Sequence, residues 1–214
     1  MKKNNLLFNF LKLDKFLYLG LFFLFLQFVV ILGSFRTDTF DIFFWFCNHT
    51  PLFFAIAFFI RNMNLIKAFI NVGFLIQFLW FLDFLFALLF DFYIIGMTNY
   101  VFEDLVGFTI LIPILLHIFS TNVALIFTFK EKTNYVVLFY SFFYLSFLFF
   151  LTFLFTSPEN NINCIYEICE FESLTFPFYT YLWVPVMFFL IILPTFYFQK
   201  LLYYIYYLKK REYK

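Results

Sequence analysis

The chain has 214 residues, of which 65% are hydrophobic, 29% are aromatic and only 13% are charged, with a formal net charge of +1. A soluble domain of this size has too little polar surface to cover so many apolar side chains, and disordered chains are poor in aromatic residues. We therefore expect an all-α integral membrane protein that forms a single domain over residues 1–214.

Apolar windows along the chain predict six transmembrane helices, because a bilayer-spanning helix needs about 20 mostly apolar residues. The windows are Phe16–Gly33, Ile42–Ile60, Leu65–Phe90, Leu105–Phe129, Tyr135–Phe155 and Pro177–Tyr204. The first is too long for the apolar core of a signal peptide and lacks a cleavage pattern, so we expect a retained helix. The third is long and contains Asp83, so we expect it to tilt or to end early.

Basic residues indicate the orientation of this six-helix bundle. Of the 14 Lys and Arg residues, 13 fall on one side of the six-helix arrangement, and the exception is Arg36. By the positive-inside rule, both termini face the cytoplasm. The chain ends in a tyrosine belt and a basic cluster, Tyr203–Arg211, which we interpret as an anchor at the lipid headgroups, with anionic-lipid recognition as an alternative.

Two of the three cysteines, Cys164 and Cys169, lie in the predicted outer loop Ser157–Phe176. A disulfide closing this short loop is our first interpretation, because the outer side of a membrane is usually oxidising. Free thiols, or a metal bound with nearby glutamates, are the alternatives. The third cysteine, Cys47, lies in the second window.

Three ionisable residues inside the windows are functional candidates, because such groups are costly in a bilayer. From the helical rise, His49 and Asp83 lie about 10 Å below the outer surface, and His117 about 18 Å below it. We expect His49 and Asp83 to lie within side-chain reach of each other, with His117 below them. Asn48, Gln77, Trp80 and Thr121 add polar atoms near these three and are the candidate substrate-binding residues.

Three kinds of chemistry fit this set of residues. Cys47 can act as a nucleophile with His117 or His49 as its base, oriented by Asp83. The two histidines and Asp83 can bind a metal as a two-His, one-carboxylate set, or the histidines can be axial ligands of a haem. The structural alternative is that these polar groups are interhelical hydrogen-bonding residues without a chemical role.

Short runs between residues 42 and 128 resemble the YwaF-type membrane proteins. The runs are Cys47-Asn48, the segment from Ala55 to Asn62, Val72-Gly73-Phe74, Leu82-Asp83 and the central His117 of the fourth window. The resemblance implies a similar six-helix layout. It also implies acyl transfer on phospholipids by an intramembrane cysteine and histidine, here Cys47 and His117.

Our first functional hypothesis is therefore an intramembrane enzyme acting on a lipid acyl group, with Cys47 as nucleophile, His117 as base, and Asn48 or freed backbone donors steadying an oxyanion. The non-enzymatic alternatives are a small transporter and an accessory subunit of a membrane complex. The expected partners are membrane lipids, with membrane proteins as an alternative, and nucleic acid is not expected. The expected location is a prokaryotic plasma membrane, with the mitochondrial inner membrane as the alternative.

Overall fold

The computed structural model describes residues 14–34, 43–103, 105 and 107–212, and within these ranges it is helical with no strand. The α-helices of these ranges are α1 (Lys15–Ser34), α2 (Phe46–Phe59), α3 (Met63–Phe90), α4 (Asn99–Glu103), α5 (Leu111–Thr128), α6 (Val136–Phe155), α7 (Tyr179–Met187) and α8 (Leu193–Glu212). A π-helical turn, Phe188–Ile192, makes α7 and α8 one continuous helix. Short 3₁₀ turns lie at Gly107–Ile110, Pro158–Asn160, Ile162–Cys164 and Glu172–Leu174.

In the described part of the chain, five helical segments are long and apolar enough to cross a membrane, as expected for a multi-pass integral membrane protein. They are Lys15–Gly33, Met63–Phe90, Leu111–Thr128, Val136–Phe155 and Tyr179–Arg211. The second predicted span corresponds to α2, which has 14 residues and is only about 21 Å long. Its predicted start at Ile42 lies outside the described residues; within them the chain bends at Trp45 and the helix begins at Phe46.

The two ends of α3 are fixed by local chemistry. The Asn62 side chain caps the start, accepting hydrogen bonds from the backbone of Asn64 and Leu65. The helix then continues through Asp83 to Phe90, and Asp91 ends it in the left-handed conformation with φ 52°. The prediction that this helix ends early is therefore wrong. Residues 95–98, beyond the end of the helix, donate hydrogen bonds to the Asp83 carboxylate, so the helix can continue through Asp83.

The bundle has two chemically different ends. We call the end that holds segments 91–103 and 156–178 the disulfide end, because Cys164 and Cys169 form a disulfide there. At this end, Asn163 accepts from the Phe46 backbone N–H and donates to the Phe44 carbonyl, so the disulfide-bonded segment caps α2. We call the opposite end, with segments 60–62, 129–135 and 200–212, the lysine end. There the Arg61 guanidinium pairs with Asp14 at 2.5 Å, beside the start of α1.

The core of the bundle is built around α3, which packs against α2, α5, α6 and α8. Gly73 makes the closest of these approaches possible. A Cβ atom at this position would overlap the Phe46 ring of α2 and lie 2.9 Å from the Thr121 methyl group of α5. At Gly73, α3 therefore packs against α2 and α5 without room for a side chain.

Candidate functional site

The Asp83 carboxylate accepts hydrogen bonds from the segment that follows α3, and it does not contact a histidine. Its Oδ1 accepts from the backbone N–H groups of Ile95 at 2.7 Å and Gly96 at 3.3 Å. Its Oδ2 accepts from the backbone N–H and the hydroxyl of Thr98, at 3.0 and 2.9 Å. Both oxygens are thus occupied by this segment, and the predicted Asp83–His49 pair is not formed. His49 and Asp83 share a predicted depth in the membrane, but equal depth does not require contact. The backbone N–H groups of residues 95–98 occupy the Asp83 carboxylate instead.

His49 lies in an aromatic environment on α2. Its ring makes edge-on contacts with Phe46, Phe53 and Tyr144, at centroid distances of 5.5 to 6.4 Å. Its Nδ1 lies 3.4 Å from the carbonyl oxygen of Phe43. Among the described residues, no carboxylate contacts this ring, so His49 lies apart from Asp83 and His117.

His117 is held by α5 and by Trp80 of α3. Its ring stacks on the Trp80 indole with a centroid distance of 4.1 Å and an interplanar angle of 14°. Its Nδ1 lies 2.7 Å from the carbonyl oxygen of Pro113, one turn earlier on the same helix. Because a carbonyl oxygen only accepts, Nδ1 carries the proton in the neutral ring and Nε2 is the acceptor.

Gln77 of α3, about one turn before Trp80, contacts Thr121 of α5. The Gln77 Oε1 accepts from the Thr121 hydroxyl at 2.6 Å, the Ser120 hydroxyl at 2.9 Å and the Thr121 backbone N–H at 3.3 Å. Two of the four predicted substrate-binding residues therefore contact each other, and Trp80 lies next to them on α3. Ser120 also belongs to this cluster, although it was not a predicted site residue.

Cys47 and Asn48 lie at the start of α2, beside a break in its hydrogen bonding. The Cys47 thiol donates to the Asn48 side-chain oxygen at 3.6 Å, and no hydrogen bond joins it to a described imidazole. The Gln27 side chain of α1 donates to the Asn48 carbonyl and accepts from the Leu52 N–H, so it replaces one helical hydrogen bond next to Pro51. The Tyr100 hydroxyl lies beside the Trp80 indole and within electrostatic reach of the Cys47 thiol.

Towards the lysine end, α3 carries polar contacts that the sequence did not reveal. The Lys67 ammonium donates to the Thr133 hydroxyl at 2.9 Å, and the Glu131 carboxylate is near enough to interact with it. Asn71 donates to the Ser141 hydroxyl at 3.0 Å. Gln199 of α8 donates to the Asn71 side chain at 2.7 Å and to the Lys67 carbonyl at 3.0 Å.

These contacts place buried polar side chains along most of the length of α3. We call the set Lys67, Asn71, Gln77, Trp80 and Asp83 the α3 track, and its members have exposed fractions of 0–2%. From Lys67 to Asp83 the helical rise is about 24 Å, against a hydrocarbon thickness of about 30 Å. Three buried atoms on or beside it have no hydrogen-bond partner among the described residues: Gln77 Nε2, Trp80 Nε1 and Gln199 Oε1.

The arrangement does not support the two metal-based alternatives. Within the described residues, no group of three or more His, Cys, Asp and Glu side chains could hold a metal ion. His49, His117 and Asp83 each contact different neighbours, so the two-His, one-carboxylate set is not assembled. His117 is covered on one face by Trp80 while His49 lies among α2 and α6 aromatic rings, so the two rings do not face one another across a common haem plane.

Comparisons with known proteins do not extend this picture. No family model matches the chain, and no curated protein and no solved structure matches it. The similarity of residues 42–128 to the YwaF-type proteins therefore stays a prediction.

Proposed function

We propose that the protein conducts protons across a membrane along the α3 track. The observation that carries this proposal is the track itself, which consists of two groups of buried polar side chains spread over about 24 Å of a membrane-spanning helix. Lys67 and Asn71 contact Thr133, Ser141 and Gln199, whereas Gln77 and Trp80 contact α5. Ionisable residues inside membrane proteins are costly, and they commonly mark ion pathways and proton relays. A helix that needed polar groups for packing alone would not require a buried lysine.

The chemistry of the track suits protons better than larger solutes. Lys67 and His117 can each exchange a proton, and hydroxyl and amide groups lie between them at Gln77, Ser120 and Thr121. Among the described residues, Gln77 Nε2 and Gln199 Oε1 have no hydrogen-bond partner, so each has hydrogen-bonding capacity that a water molecule would satisfy. At Gly73, Phe46 and Thr121 pack so closely that even a Cβ atom would overlap them, so no larger solute can pass on that side of α3.

Proton flux into liposomes tests the proposal. Full-length protein is reconstituted with a pH-sensitive dye inside the vesicles, and a potassium gradient with valinomycin drives proton entry. The wild type should acidify the lumen faster than protein-free vesicles. Lys67→Met and Gln77→Leu should each abolish this difference. Lys200→Met is the matched control, because Lys200 lies at the same end but contacts Tyr135 outside the track. A wild-type flux equal to that of empty vesicles would refute the proposal.

Conduction across the bilayer also requires that the chain crosses it completely. We propose six crossings with both termini in the cytoplasm, in which α2 is a short span. The Arg61–Asp14 pair and the Asn163–Phe46 contact support this, because they put the two ends of α2 at opposite ends of the bundle. Cysteines introduced at Asn99 and Asn160 should react with an impermeant thiol reagent from outside. Outside labelling of a cysteine at Asn62 would contradict this topology.

Acyl transfer by Cys47 is a second candidate, favoured by one observation. The Tyr100 hydroxyl lies beside Trp80 and within electrostatic reach of the Cys47 thiol, and Trp80 stacks on His117, so Tyr100 and Trp80 lie between the thiol and the imidazole without a direct contact joining those two groups. The Cys47 sulfur would attack a phospholipid ester carbonyl, and its proton would pass through His117 Nε2 to the departing lysolipid oxygen. The product is a thioester on Cys47. Incubation with a fluorescent-acyl phospholipid should leave a hydroxylamine-sensitive label that is absent from Cys47→Ala.

A further inference from the structure

A groove at the lysine end combines cationic and aromatic side chains from two helices. It is lined by Lys130, Tyr203, Tyr206, Tyr207, Lys210 and Arg211. The five α8 residues recur at intervals of three and four, so they form one stripe along the last three turns of that helix. Lys130 follows the end of α5 and closes the other side of the groove.

Direct contacts hold the two walls of this groove together. The Lys130 ammonium lies 5.5 Å from the centroid of the Tyr206 ring, and the Phe129 ring meets the same tyrosine edge-on at 5.8 Å. On the α8 stripe, the Arg211 guanidinium lies 5.6 Å from the centroid of the Tyr207 ring. The cationic groups of Lys130 and Arg211 are therefore positioned by aromatic rings rather than by carboxylates.

The groove carries positive charge that the described acids do not neutralise. The one ion pair among the described side chains joins Arg61 to Asp14, away from the groove. Glu131 follows Lys130 in sequence, but no ion pair joins its carboxylate to a described cationic residue of the groove. Lys130, Lys210 and Arg211 thus present three cationic groups to one concave surface.

We propose that this groove binds the phosphate headgroup of an anionic phospholipid. Tyrosine belts lie at the depth of lipid headgroups, and cationic side chains next to them attract anionic lipids. Next to the groove, α8 presents exposed apolar side chains at Leu201, Ile205 and Leu208, along which acyl chains can lie. A free phosphate ion would use the charges but not this apolar surface, and so the lipid is the ligand. This proposal does not depend on proton conduction.

Lipid binding by full-length protein tests the proposal. Purified protein in phosphatidylcholine nanodiscs is titrated with a fluorescent phosphatidic acid, and binding is measured for the wild type and two charge-matched variants. The groove variant, Lys130→Gln/Lys210→Gln/Arg211→Gln, should bind more than about tenfold more weakly than the wild type. The control variant, Lys15→Gln/Lys200→Gln/Lys209→Gln, removes the same charge from the same end outside the groove and should keep wild-type affinity.

Two outcomes would overturn the proposal. Equal losses in the groove and control variants would mean that the end attracts anionic lipids through its overall charge alone. Displacement of the lipid by millimolar inorganic phosphate would mean that the groove recognises free phosphate rather than a lipid. A Tyr206→Leu variant removes the ring beneath Lys130 without changing charge, and it should also weaken lipid binding. Each variant is first checked for a monodisperse elution profile, so that a folding defect is not read as lost binding.

Discussion

The imidazole of His117 lies 4.1 Å from the indole of Trp80, nearly parallel to it, while its Nδ1 points to the carbonyl oxygen of Pro113. One ring nitrogen is thereby fixed as a donor and the other is left as an acceptor. Among the described residues, Nε2 makes no hydrogen bond. The geometry therefore gives the α3 track one base whose lone pair is available to a water molecule or to a proton donor.

The first prediction concerns the tautomer of His117. Neutral His117 should carry its proton on Nδ1, because Nδ1 lies 2.7 Å from a carbonyl oxygen that only accepts. The ¹⁵N chemical shifts of histidine-labelled protein distinguish the two ring nitrogens. The chain has two histidines, so a His49→Gln variant assigns the remaining signals to His117. An Nε2–H tautomer would contradict the geometry.

Asp83→Asn should destabilise the disulfide end of the bundle. The carboxylate accepts four hydrogen bonds from residues 95–98, and an amide group would turn a donor towards some of these N–H groups. We expect the free energy of unfolding in detergent to fall by about 3 kcal/mol. Hydrogen exchange at Ile95, Gly96 and Thr98 should become faster.

The control for this change is Asp91→Asn, which alters an exposed residue that ends α3 with φ 52°. Asparagine tolerates that conformation, so the substitution should leave both measurements near the wild type. If Asp83→Asn also left exchange at residues 95–98 unchanged, the carboxylate would not be what holds this segment.

Glu170 should make stability depend on pH. Partial burial raises the pKa of its carboxyl above the ordinary value of 4.5, and the charges of Glu172 and Asp83 raise it further. The folded state therefore binds this proton more tightly than the unfolded state, so stability falls as pH rises from about 4.5 through the folded pKa. Glu170→Gln should remove this slope and stabilise the protein at neutral pH. Glu167→Gln, in the same segment, should leave the slope in place.

The helices could be predicted from hydropathy, while the contacts of the polar residues could not. Apolar windows gave α1, α3 and α6 to within two residues at each end, because a bilayer-spanning helix needs a long apolar run and little else. Depth along a helix gave no information on which face a side chain occupies. Depth alone therefore could not reveal that Asp83 accepts hydrogen bonds from the backbone of residues 95–98 and does not pair with His49.

The contacts of Lys67 could not be predicted from the sequence either. Lys67 lies two residues inside the third apolar window, and the count of basic residues assigns it, with Arg61, to the cytoplasmic side of the membrane. In the structure it lies in the second turn of α3, fully buried against Thr133. Thr133 is 66 residues away in sequence, so no local pattern could have revealed this partner. The buried lysine is nevertheless the strongest indication that α3 does more than pack.

Access of water to α3 tests the account most directly. Gln77→Cys and Phe78→Cys are made in a Cys47→Ser chain, in which Cys164 and Cys169 remain disulfide-bonded. Gln77 faces the buried hydroxyls of Ser120 and Thr121, whereas Phe78 is 40% exposed on the outside of the bundle. A small charged thiol reagent reacts only where water reaches the sulfur. The account predicts reaction at position 77 and none at position 78, and reaction at 78 with none at 77 would contradict it.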